Sequence, residues 1–297
     1  MLYLGVDGGG TKTKVIVINE EKEVLYEGIG GPSSIDTVSI EQTISSINEA
    51  LNTFSKTNKQ SFKSVFLGLG GIATQKDIDL VEKAAKAIFF VDESTKITAR
   101  NDTLNALASG NHYDDGIVLI CGTGMNCYGN KDGITHKSGG WGYKSGDQGS
   151  GYYLGIEAIK YMIKGYDGRI EKSPFLETIF NELKVEDIIN IPHILDQLNR
   201  TQIASLAPIV REFATKGDTY ALDILARGAK ELALCVEAVY KRVNSLNLVV
   251  VGSLGNIGIY KDMIHNEIKK INPSFKIQSP TLDPALASAH LAYKYQV

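Results

Sequence analysis

The sequence predicts an α/β protein made of two copies of one domain core, with a ligand site formed by glycine-rich turns. The length of 297 residues suggests about two domains of ~150 residues each. The order strand, Gly/Thr turn, strand, polar turn, strand occurs twice, about 115 residues apart. Twelve of the 30 glycines lie between Gly116 and Gly155, and clustered glycines are typical of turns where the backbone approaches a ligand.

The first half begins with an antiparallel meander of three predicted strands. The first strand is apolar, the turn after it (residues 8–12) is unusually rich in glycine, and a polar turn precedes the third strand. Helical periodicity then alternates with apolar runs. The predicted elements are strands 2–7, 13–19 and 24–28, a helix with apolar positions from Ile40 to Leu51, strand 64–68, helix 79–89, strand 96–99 and helix 103–108.

The second half starts the same plan again at Gly116. Its predicted elements are strands 117–121, 125–128 and 134–136, a mostly helical segment between residues 155 and 244, strands 246–251 and 276–278, and helix 284–295. Internal duplication of a whole domain core is the economical interpretation. The alternative is that two β-meanders arose independently.

Composition excludes several classes of protein. A net charge of −3 excludes a strongly basic nucleic-acid binder. No apolar run approaches the ~18 residues of a membrane span, and the N-terminus lacks the pattern of a signal peptide, so we expect a cytoplasmic protein with neither a membrane nor a nucleic-acid partner. Three cysteines and five histidines show no spacing typical of a disulfide framework or a soft-ligand metal site.

Three phosphate-binding patterns compete for the glycine turns. The P-loop pattern GxxxxGK[ST] is absent. A dinucleotide fingerprint is nearly present, because residues 68–73 read GLGGIA and Asp92 lies roughly where a ribose-binding acid belongs. However, the preceding strands are antiparallel and do not start a βαβ unit.

The third pattern uses both hairpin turns, DGGGTK at residues 7–12 and GTG at residues 122–124. Glycines allow backbone N–H groups to approach phosphate oxygens, and Thr11 and Thr123 add hydroxyl donors. Each domain would then supply one turn to a nucleoside triphosphate held in a cleft between the two. Asp7 follows the first strand, where it is placed to organise Mg²⁺ through water.

Three motifs carry a resemblance to a known family. They are LGVDGGGTKT (residues 4–13), ICGTGMNC (residues 120–127) and GGWGYKSGDQGS (residues 139–150). With them the chain resembles, from Met1 to its last helix, the eukaryotic-type N-acetylglucosamine kinases, which group with the BadF/BadG/BcrA/BcrD ATPases in the actin, heat-shock chaperone and sugar-kinase superfamily.

The resemblance implies two ribonuclease-H-like domains with ATP in the cleft between them. The first domain would comprise residues 1–115 plus the C-terminal helix 284–297, and the second residues 116–283 with a helical insertion. Dimerisation is common among such relatives, so a homodimer is expected. The resemblance also implies nucleotide-binding positions, which are Gly9, Gly10, Thr11, Lys12, Thr123, Gly124, Gly217, Gly252 and Ser253. Lys12 is equally well explained as a solvated turn lysine.

Asp102 is the candidate catalytic base. Phosphoryl transfer to a sugar hydroxyl needs a carboxylate that accepts the hydroxyl proton. Asp102 follows a predicted strand at its C-terminal end, where α/β sheets present ligand-binding groups, and the pair Asn101-Asp102 resembles the family's catalytic position. The alternative is that Asp102 caps the helix beginning at Thr103.

The resemblance implies sugar contacts in both domains, at Ser34, Gly70, Asn101, Asn126, Gly140, Trp141, Gly142 and Asp147. For Asp147 the alternative is a turn or cap residue, for Trp141 a core position, and for Asn126 a polar residue at a strand edge. Cys121 and Cys127 are expected to be small core residues.

Four positions depart from the family pattern. Ser34, Gly70, Met125 and Gln148 stand where relatives usually have Asn, Ser, Ser and Glu. If Ser34 and Gly70 line the pocket, it has lost hydrogen-bonding groups and gained room. We therefore expect an acceptor bulkier than N-acetylglucosamine, such as N-acetylmuramic acid with its 3-O-lactyl group, with N-acetylglucosamine also accepted and glucosamine left open. The resemblance suggests the 6-hydroxyl as the phosphorylated group.

Two other functions remain as alternatives. Some BadF-type relatives are ATPases that activate a partner enzyme through a bridging iron–sulfur cluster, but the required pair of cysteines is missing. A nucleotide-dependent switch without sugar chemistry would make Asp102, Trp141 and Asp147 incidental, and its ATP turnover would not respond to sugar.

Overall fold

The computed structural model describes residues 1–110, 114–185 and 187–296. The chain divides into two compact units, Met1–Asp115 with Pro280–Val297 (unit 1) and Gly116–Ser279 (unit 2). Each unit holds one five-stranded mixed sheet with helices. The predicted α/β fold class is therefore confirmed.

Unit 1 begins with the predicted meander. Before the chain enters unit 2 at Gly116, the elements of unit 1 are β1 (Tyr3–Gly8), β2 (Thr13–Ile18), β3 (Val24–Gly30), α1 (Ile40–Ala50), α2 (Asn52–Ser55), β4 (Ser64–Leu69), α3 (Gln75–Ala84), β5 (Lys96–Asn101) and α4 (Thr103–Ala108). The helix predicted at residues 79–89 begins earlier, at Gln75, because a capping box precedes it. The Thr74 side chain accepts a hydrogen bond from the Asp77 N–H, and the Asp77 side chain accepts one from the Thr74 N–H.

Unit 2 opens with a second meander and continues with most of the helices. Its elements are β6 (Gly116–Cys121), β7 (Met125–Lys131), β8 (Ile134–Ser138), α5 (Gly151–Tyr166), α6 (Pro174–Glu182), α7 (Ile191–Gln197), α8 (Arg200–Ala204), α9 (Ala207–Thr215), α10 (Thr219–Val243), β9 (Asn247–Val251), α11 (Ser253–Asn256), α12 (Gly258–Ile271) and β10 (Lys276–Gln278).

The two sheets have the same topology. The strand order is β3-β2-β1-β4-β5 in unit 1 and β8-β7-β6-β9-β10 in unit 2. In both, the meander is antiparallel and the two remaining strands run parallel to the first. The match extends beyond the meanders, which supports duplication over independent origin. The antiparallel half of the unit 1 sheet also makes the dinucleotide-fold alternative wrong.

The last helix, α13 (Pro284–Lys294), belongs to unit 1. It packs directly on β1, because Gly5 has no side chain: a Cβ there would lie 2.0 Å from the backbone nitrogen of Ala289. The Ser288 hydroxyl accepts a hydrogen bond from the Val6 N–H at 3.0 Å and is itself fully buried. The C-terminal helix is thus part of the structure of unit 1. Val297, which the expected helix 284–297 included, lies outside the described residues.

Each unit has its own hydrophobic core. Cys121 and Cys127 are fully buried in the core of unit 2, as predicted, and burial raises the pKa of Cys121 to about 12. None of the helices in the described part of the chain combines the length and apolar character needed to span a membrane.

Candidate active site

Three parallel strands of unit 1 end at one edge of its sheet. Gly70, which follows β4, donates its N–H to the Gly8 carbonyl at 2.8 Å, and Asp102, which follows β5, donates its N–H to the Leu69 carbonyl at 3.2 Å. Asp7 lies at the end of β1. The structure therefore brings Asp7, Gly70 and Asp102 to the same edge, where α/β sheets place ligand sites.

Asp7 is held by Asn105, a residue that the sequence analysis did not single out. Asn105 on α4 is fully buried, and its Nδ2 donates to Asp7 Oδ1 at 2.8 Å and to the Val6 carbonyl at 3.2 Å. Only glycine fits opposite it, since a Cβ on Gly68 would lie 2.1 Å from the Asn105 amide. Burial raises the pKa of Asp7 above its usual range, the Asn105 hydrogen bond opposes this, and the charge of Asp283 adds to it.

Asp102 is half-buried, and its pKa is raised to about 6. Burial is the larger cause and the negative charge of Asp7 the next. Within the described part of the chain, the Asp102 side chain makes no capping hydrogen bond to α4. Instead, Asn101 Oδ1 accepts hydrogen bonds from the Thr103 N–H at 3.1 Å and from the Thr103 hydroxyl at 2.8 Å. The capping role considered for Asp102 thus belongs to Asn101, whose side-chain oxygen is occupied by Thr103.

Ser34 and Gly70 lie against each other beside Asp102. A Cβ built on Gly70 would lie 2.4 Å from Ser34 Oγ and 3.6 Å from Asp102 Oδ2. Ser34 is buried, and its hydroxyl donates to Asp36 Oδ1 at 2.5 Å. The prediction of extra room next to Gly70 is therefore wrong, because the Ser34 hydroxyl fills that space.

The turn between β1 and β2 exposes its polar side chains. Gly9 donates its N–H to the Lys12 carbonyl at 3.1 Å, and the Gly9 carbonyl accepts from the Ser34 N–H at 3.2 Å. Gly10, Thr11 and Lys12 are exposed. Lys12 lies near enough to oppose the raised pKa of Asp7. The turn therefore offers a hydroxyl and a cation beside a half-buried carboxylate, a combination suited to phosphate.

The corresponding turn of unit 2 is anchored by α5. The Gly151 N–H donates to the Gly122 carbonyl at 2.8 Å, and the Tyr152 N–H donates to the Thr123 carbonyl at 3.1 Å. Thr123 itself is exposed. Gly124 closes the turn by accepting from the Gly122 N–H at 2.9 Å.

Gly252 brings the predicted adenosine motif to this turn. It has φ +101°, and a Cβ on it would lie 2.2 Å from the Cys121 carbonyl oxygen and 3.3 Å from the Gly122 nitrogen. Ser253 follows as the first residue of α11. Gly217 (φ +87°) lies elsewhere in unit 2, between α9 and α10, with open space around it.

The loop at residues 139–150 depends on glycine conformation. Gly139, Gly140 and Gly142 have φ of +70°, +66° and +94°, values that other residues rarely adopt. Trp141 is 68% exposed, with the Lys137 ammonium 4.4 Å from its ring centroid. The core position considered for Trp141 is therefore wrong, and the indole is available for contact with a ligand.

Asn126 lies directly under this loop. A Cβ on Gly140 would lie 3.0 Å from Asn126 Oδ1. That oxygen is buried and has no hydrogen-bond partner among the described residues. A buried acceptor without a donor is costly, so Asn126 is a position where a ligand hydroxyl would be stabilising.

Asp147 is buried at 4% exposure and forms an ion pair with Arg200 on α8. The Arg200 Nη2 atom lies 2.8 Å from Asp147 Oδ2. Burial raises the pKa of Asp147, and the charge of Arg200 and the N–H of Gly142 oppose the rise. Sequence reasoning missed Arg200, because it lies 53 residues further along the chain in a helical segment without a motif.

The residues around Asp7 fit Mg²⁺ in one specific way. The described part of the chain contains no group of three acidic, histidine or cysteine side chains that could hold a metal ion. Mg²⁺ keeps several waters and binds through one or two carboxylates plus substrate phosphates. A single half-buried carboxylate beside an exposed phosphate-type turn fits that mode.

Two curated relatives match nearly the whole chain. The N-acetylmuramic acid/N-acetylglucosamine kinase of Clostridium acetobutylicum is 34% identical over 301 residues, covering 97% of each chain. The N-acetyl-D-glucosamine kinase of Dictyostelium discoideum is 29% identical over 314 residues, covering 98% of this chain and 97% of its own.

Solved structures agree on the fold. The structure of a proposed N-acetylglucosamine kinase from Chromobacterium violaceum matches with a TM-score of 0.72 at 22% identity, covering 98% of both chains. A ROK family glucokinase from Streptomyces griseus matches with a TM-score of 0.55 at 17% identity, covering 99% of this chain and 100% of its own. These are actin-like ATPase folds. The family model described as BadF/BadG/BcrA/BcrD ATPase matches residues 4–291, and the chain belongs to that family.

Proposed function

We propose that this protein is an ATP-dependent amino-sugar kinase that transfers the γ-phosphate to the 6-hydroxyl of N-acetylglucosamine, of N-acetylmuramic acid or of both. The observation that carries the proposal is the Asp102 carboxylate, half-buried beside Asp7 at the edge of the unit 1 sheet with a pKa of about 6. The kinase names of the two full-length relatives support the class of reaction.

Asp102 is the proposed general base. With a pKa of about 6 it is largely ionised at pH 7 and still basic enough to take a proton as the hydroxyl attacks. The sugar oxygen forms its bond to the γ-phosphorus, the bond to the β-phosphate oxygen breaks, and the hydroxyl proton passes to Asp102. ADP and the sugar phosphate are the products.

The glycine turns are the proposed phosphate-binding elements. Gly9 and Gly10 present backbone beside the exposed Thr11 and Lys12, and Thr123 and Gly124 form the equivalent turn of unit 2. Gly217, Gly252 and Ser253 are assigned to the adenosine. Asp7 would hold Mg²⁺ through water, and the bound ion would supply positive charge to the phosphate oxygens.

Each unit separately has its own proposed acceptor contacts. Asn126 offers an oxygen that has no partner within residues 1–110, 114–185 and 187–296, Trp141 an exposed indole face and Asp147 a buried carboxylate. Gly140 and Gly142 leave backbone accessible around the indole. In unit 1, the pair Ser34–Gly70 borders Asp102, whereas Asn101 orients the start of α4.

Glucosamine is the alternative acceptor, and an ATPase that activates a partner is the alternative class. Cys121 and Cys127 are fully buried, so neither can ligate a cluster shared with another protein. We extend the proposal to Mg²⁺ as cofactor, to a cytoplasmic homodimer and to amino-sugar recycling from the cell wall.

A sugar panel tests the proposal. Purified protein is incubated with ATP and Mg²⁺ and with N-acetylmuramic acid, N-acetylglucosamine or glucosamine, and ADP release and the phosphorylated carbon are determined. We expect turnover that requires an acetylated amino sugar, with Asp102→Asn inactive and the exposed Asp79→Asn of the same unit fully active as the matched control. ATP turnover that ignores every sugar would refute the kinase in favour of a switch or an activating ATPase.

A further inference from the structure

Arg200 joins the helical segment of unit 2 to the loop at residues 139–150. Its guanidinium pairs with Asp147 at 2.8 Å, and the two side chains are 40% and 3% exposed. The partner of the half-exposed cation is thus a carboxylate with only 3% of its surface exposed. Such a carboxylate is strongly destabilised without a counter-charge.

Gly124 is what allows this pair to form. A Cβ on Gly124 would lie 1.7 Å from Arg200 Nη2 and 2.9 Å from Asp147 Oδ2. The guanidinium therefore crosses the turn in the space that glycine leaves open. A side chain at this position would push the flexible end of Arg200 aside and lengthen the ion pair.

One further contact, with an aromatic ring, helps to hold the guanidinium. Its Cζ lies 5.8 Å from the centroid of the Tyr143 ring. Its Nε is buried and has no hydrogen-bond partner among the described residues. Arg200 thus contacts the turn at residues 122–124 and the loop at residues 139–150, and it retains an unused donor.

We propose that Arg200 is a positioning residue for acceptor binding, which holds the Asp147 carboxylate as an oriented anion against the turn at residues 122–124. The inference rests on the proposed function, in which Asp147 accepts hydrogen bonds from sugar hydroxyls. Hydrogen bonds to an ionised carboxylate are about twice as strong as those to a neutral acceptor. Without the guanidinium, Asp147 would be protonated more readily and its orientation lost.

Three groups act on the charge of Asp147 from the elements around it. Arg200 on α8 and Lys137 on β8 both lower its pKa by their positive charge, and the Gly142 N–H of the loop lowers it by a hydrogen bond, whereas burial raises it. Arg200 is the largest of the opposing influences. Removing its charge should therefore move the titration of Asp147 to higher pH.

The test compares Arg200→Met, which keeps the unbranched stem, with Arg200→Lys, which keeps the charge. We expect Arg200→Met to raise the KM for N-acetylglucosamine by about ten- to a hundred-fold, the loss typical of one charged hydrogen bond, and to leave the KM for ATP within about two-fold. The acid limb of the sugar KM should shift to higher pH. Arg200→Lys should restore most of both effects.

A matched control and a second variant keep the test decisive. Arg169→Met removes another arginine ion pair of unit 2, the exposed one with Asp167, and should change neither KM nor pH profile. Gly124→Ala leaves every charge in place but displaces the guanidinium, so it should reproduce the shift in the pH profile of the sugar KM. Because Gly124 also lies in the proposed phosphate-binding turn, this variant is assayed at saturating ATP. If Arg200→Met does not fold, the comparison of Gly124→Ala with Arg200→Lys takes its place.

Two results would overturn the inference. One is an unchanged sugar KM and pH profile in Arg200→Met. The other is an equal loss in Arg200→Met and Arg200→Lys accompanied only by a lower melting temperature, which would make the ion pair purely structural. Failure of the wild-type protein to phosphorylate any amino sugar would instead refute the proposed function, so the two failures are distinguishable.

Discussion

Replacing Asp102 by asparagine should stabilise the folded protein at neutral pH while abolishing phosphoryl transfer. Burial and the nearby Asp7 charge raise the pKa of Asp102 to about 6, from an ordinary value of 3.8. Its ionised form is therefore less favourable in the folded than in the unfolded state. Asparagine has nearly the same shape and carries no charge, so it removes this cost together with the base.

The size of the stability gain follows from the pKa of Asp102 in the folded protein and its ordinary value. Each pKa unit corresponds to about 1.36 kcal/mol, so a pKa of about 6 in place of 3.8 corresponds to roughly 3 kcal/mol of lost stability when the group is fully ionised. The side chain is half-buried, so solvent screening makes this an upper value.

The direction of the Asp102 pKa shift determines how the stability of the folded protein depends on pH. Between about pH 4 and pH 6 the folded state binds the Asp102 proton and the unfolded state releases it, so the wild-type protein loses stability as pH rises through this window. The advantage of Asp102→Asn should be near its full size at pH 8 and close to zero at pH 4.

Urea unfolding at pH 4, 6 and 8 measures the free energy of unfolding of both proteins, and ADP release with N-acetylglucosamine measures activity. The exposed Asp79→Asn serves as the control for the loss of one acidic group from the same unit. Equal stability of Asp102→Asn and wild type at pH 8 would refute the claim that the ionised Asp102 carboxylate destabilises the folded protein. Retained transfer would remove Asp102 as the base.

Three further changes have defined outcomes. Gly70→Ala should lower the free energy of unfolding by about 1–3 kcal/mol through overlap with Ser34 Oγ, and adding Ser34→Ala should recover part of the loss in a urea-unfolding double-mutant cycle. Asn105→Leu should cost about 1–3 kcal/mol by leaving buried polar partners unpaired around Asp7, again measured in urea. Trp141→Ala should leave stability within about 0.5 kcal/mol, because the indole is exposed, while steady-state kinetics record a higher sugar KM.

Each of these outcomes can fail separately. Strict additivity of the Gly70 and Ser34 changes would show that the two residues do not share one space. An Asn105→Leu protein of wild-type stability would remove Asn105 as the support of Asp7. A large loss of stability in Trp141→Ala would return the indole to a packing role.

The sequence was informative where one pattern decides the structure locally. Alternation and turn residues predicted all three strands of each meander, because an antiparallel hairpin needs only short-range pairing. The position of Asp102 after a strand was equally local. The start of α3 was missed although its signal is present, since Thr74 and Asp77 have the spacing of a capping box.

The remaining features depend on contacts between distant residues. Asn105 supports Asp7 across 98 residues of sequence, and Arg200 reaches Asp147 across 53. No local pattern distinguishes Asn105 from a solvated helical asparagine. The contact between Gly70 and Ser34 is similar, because composition shows that two side chains are small but not that one occupies the space of the other.

The duplicated topology also shows where the two units have diverged. In each unit a glycine follows the fourth strand and approaches the end of the first: Gly70 donates to the Gly8 carbonyl at 2.8 Å, and a Cβ on Gly252 would lie 2.2 Å from the Cys121 carbonyl. The glycine contact is thus a shared property of the fold, whereas the acidic Asp7 is not, since β6 ends without an acid. The role that Gly70 and Gly252 share is therefore structural: each allows the backbone after the fourth strand to lie against the end of the first. We propose that proton transfer belongs to unit 1, where burial first and the charge of Asp7 second raise the pKa of Asp102.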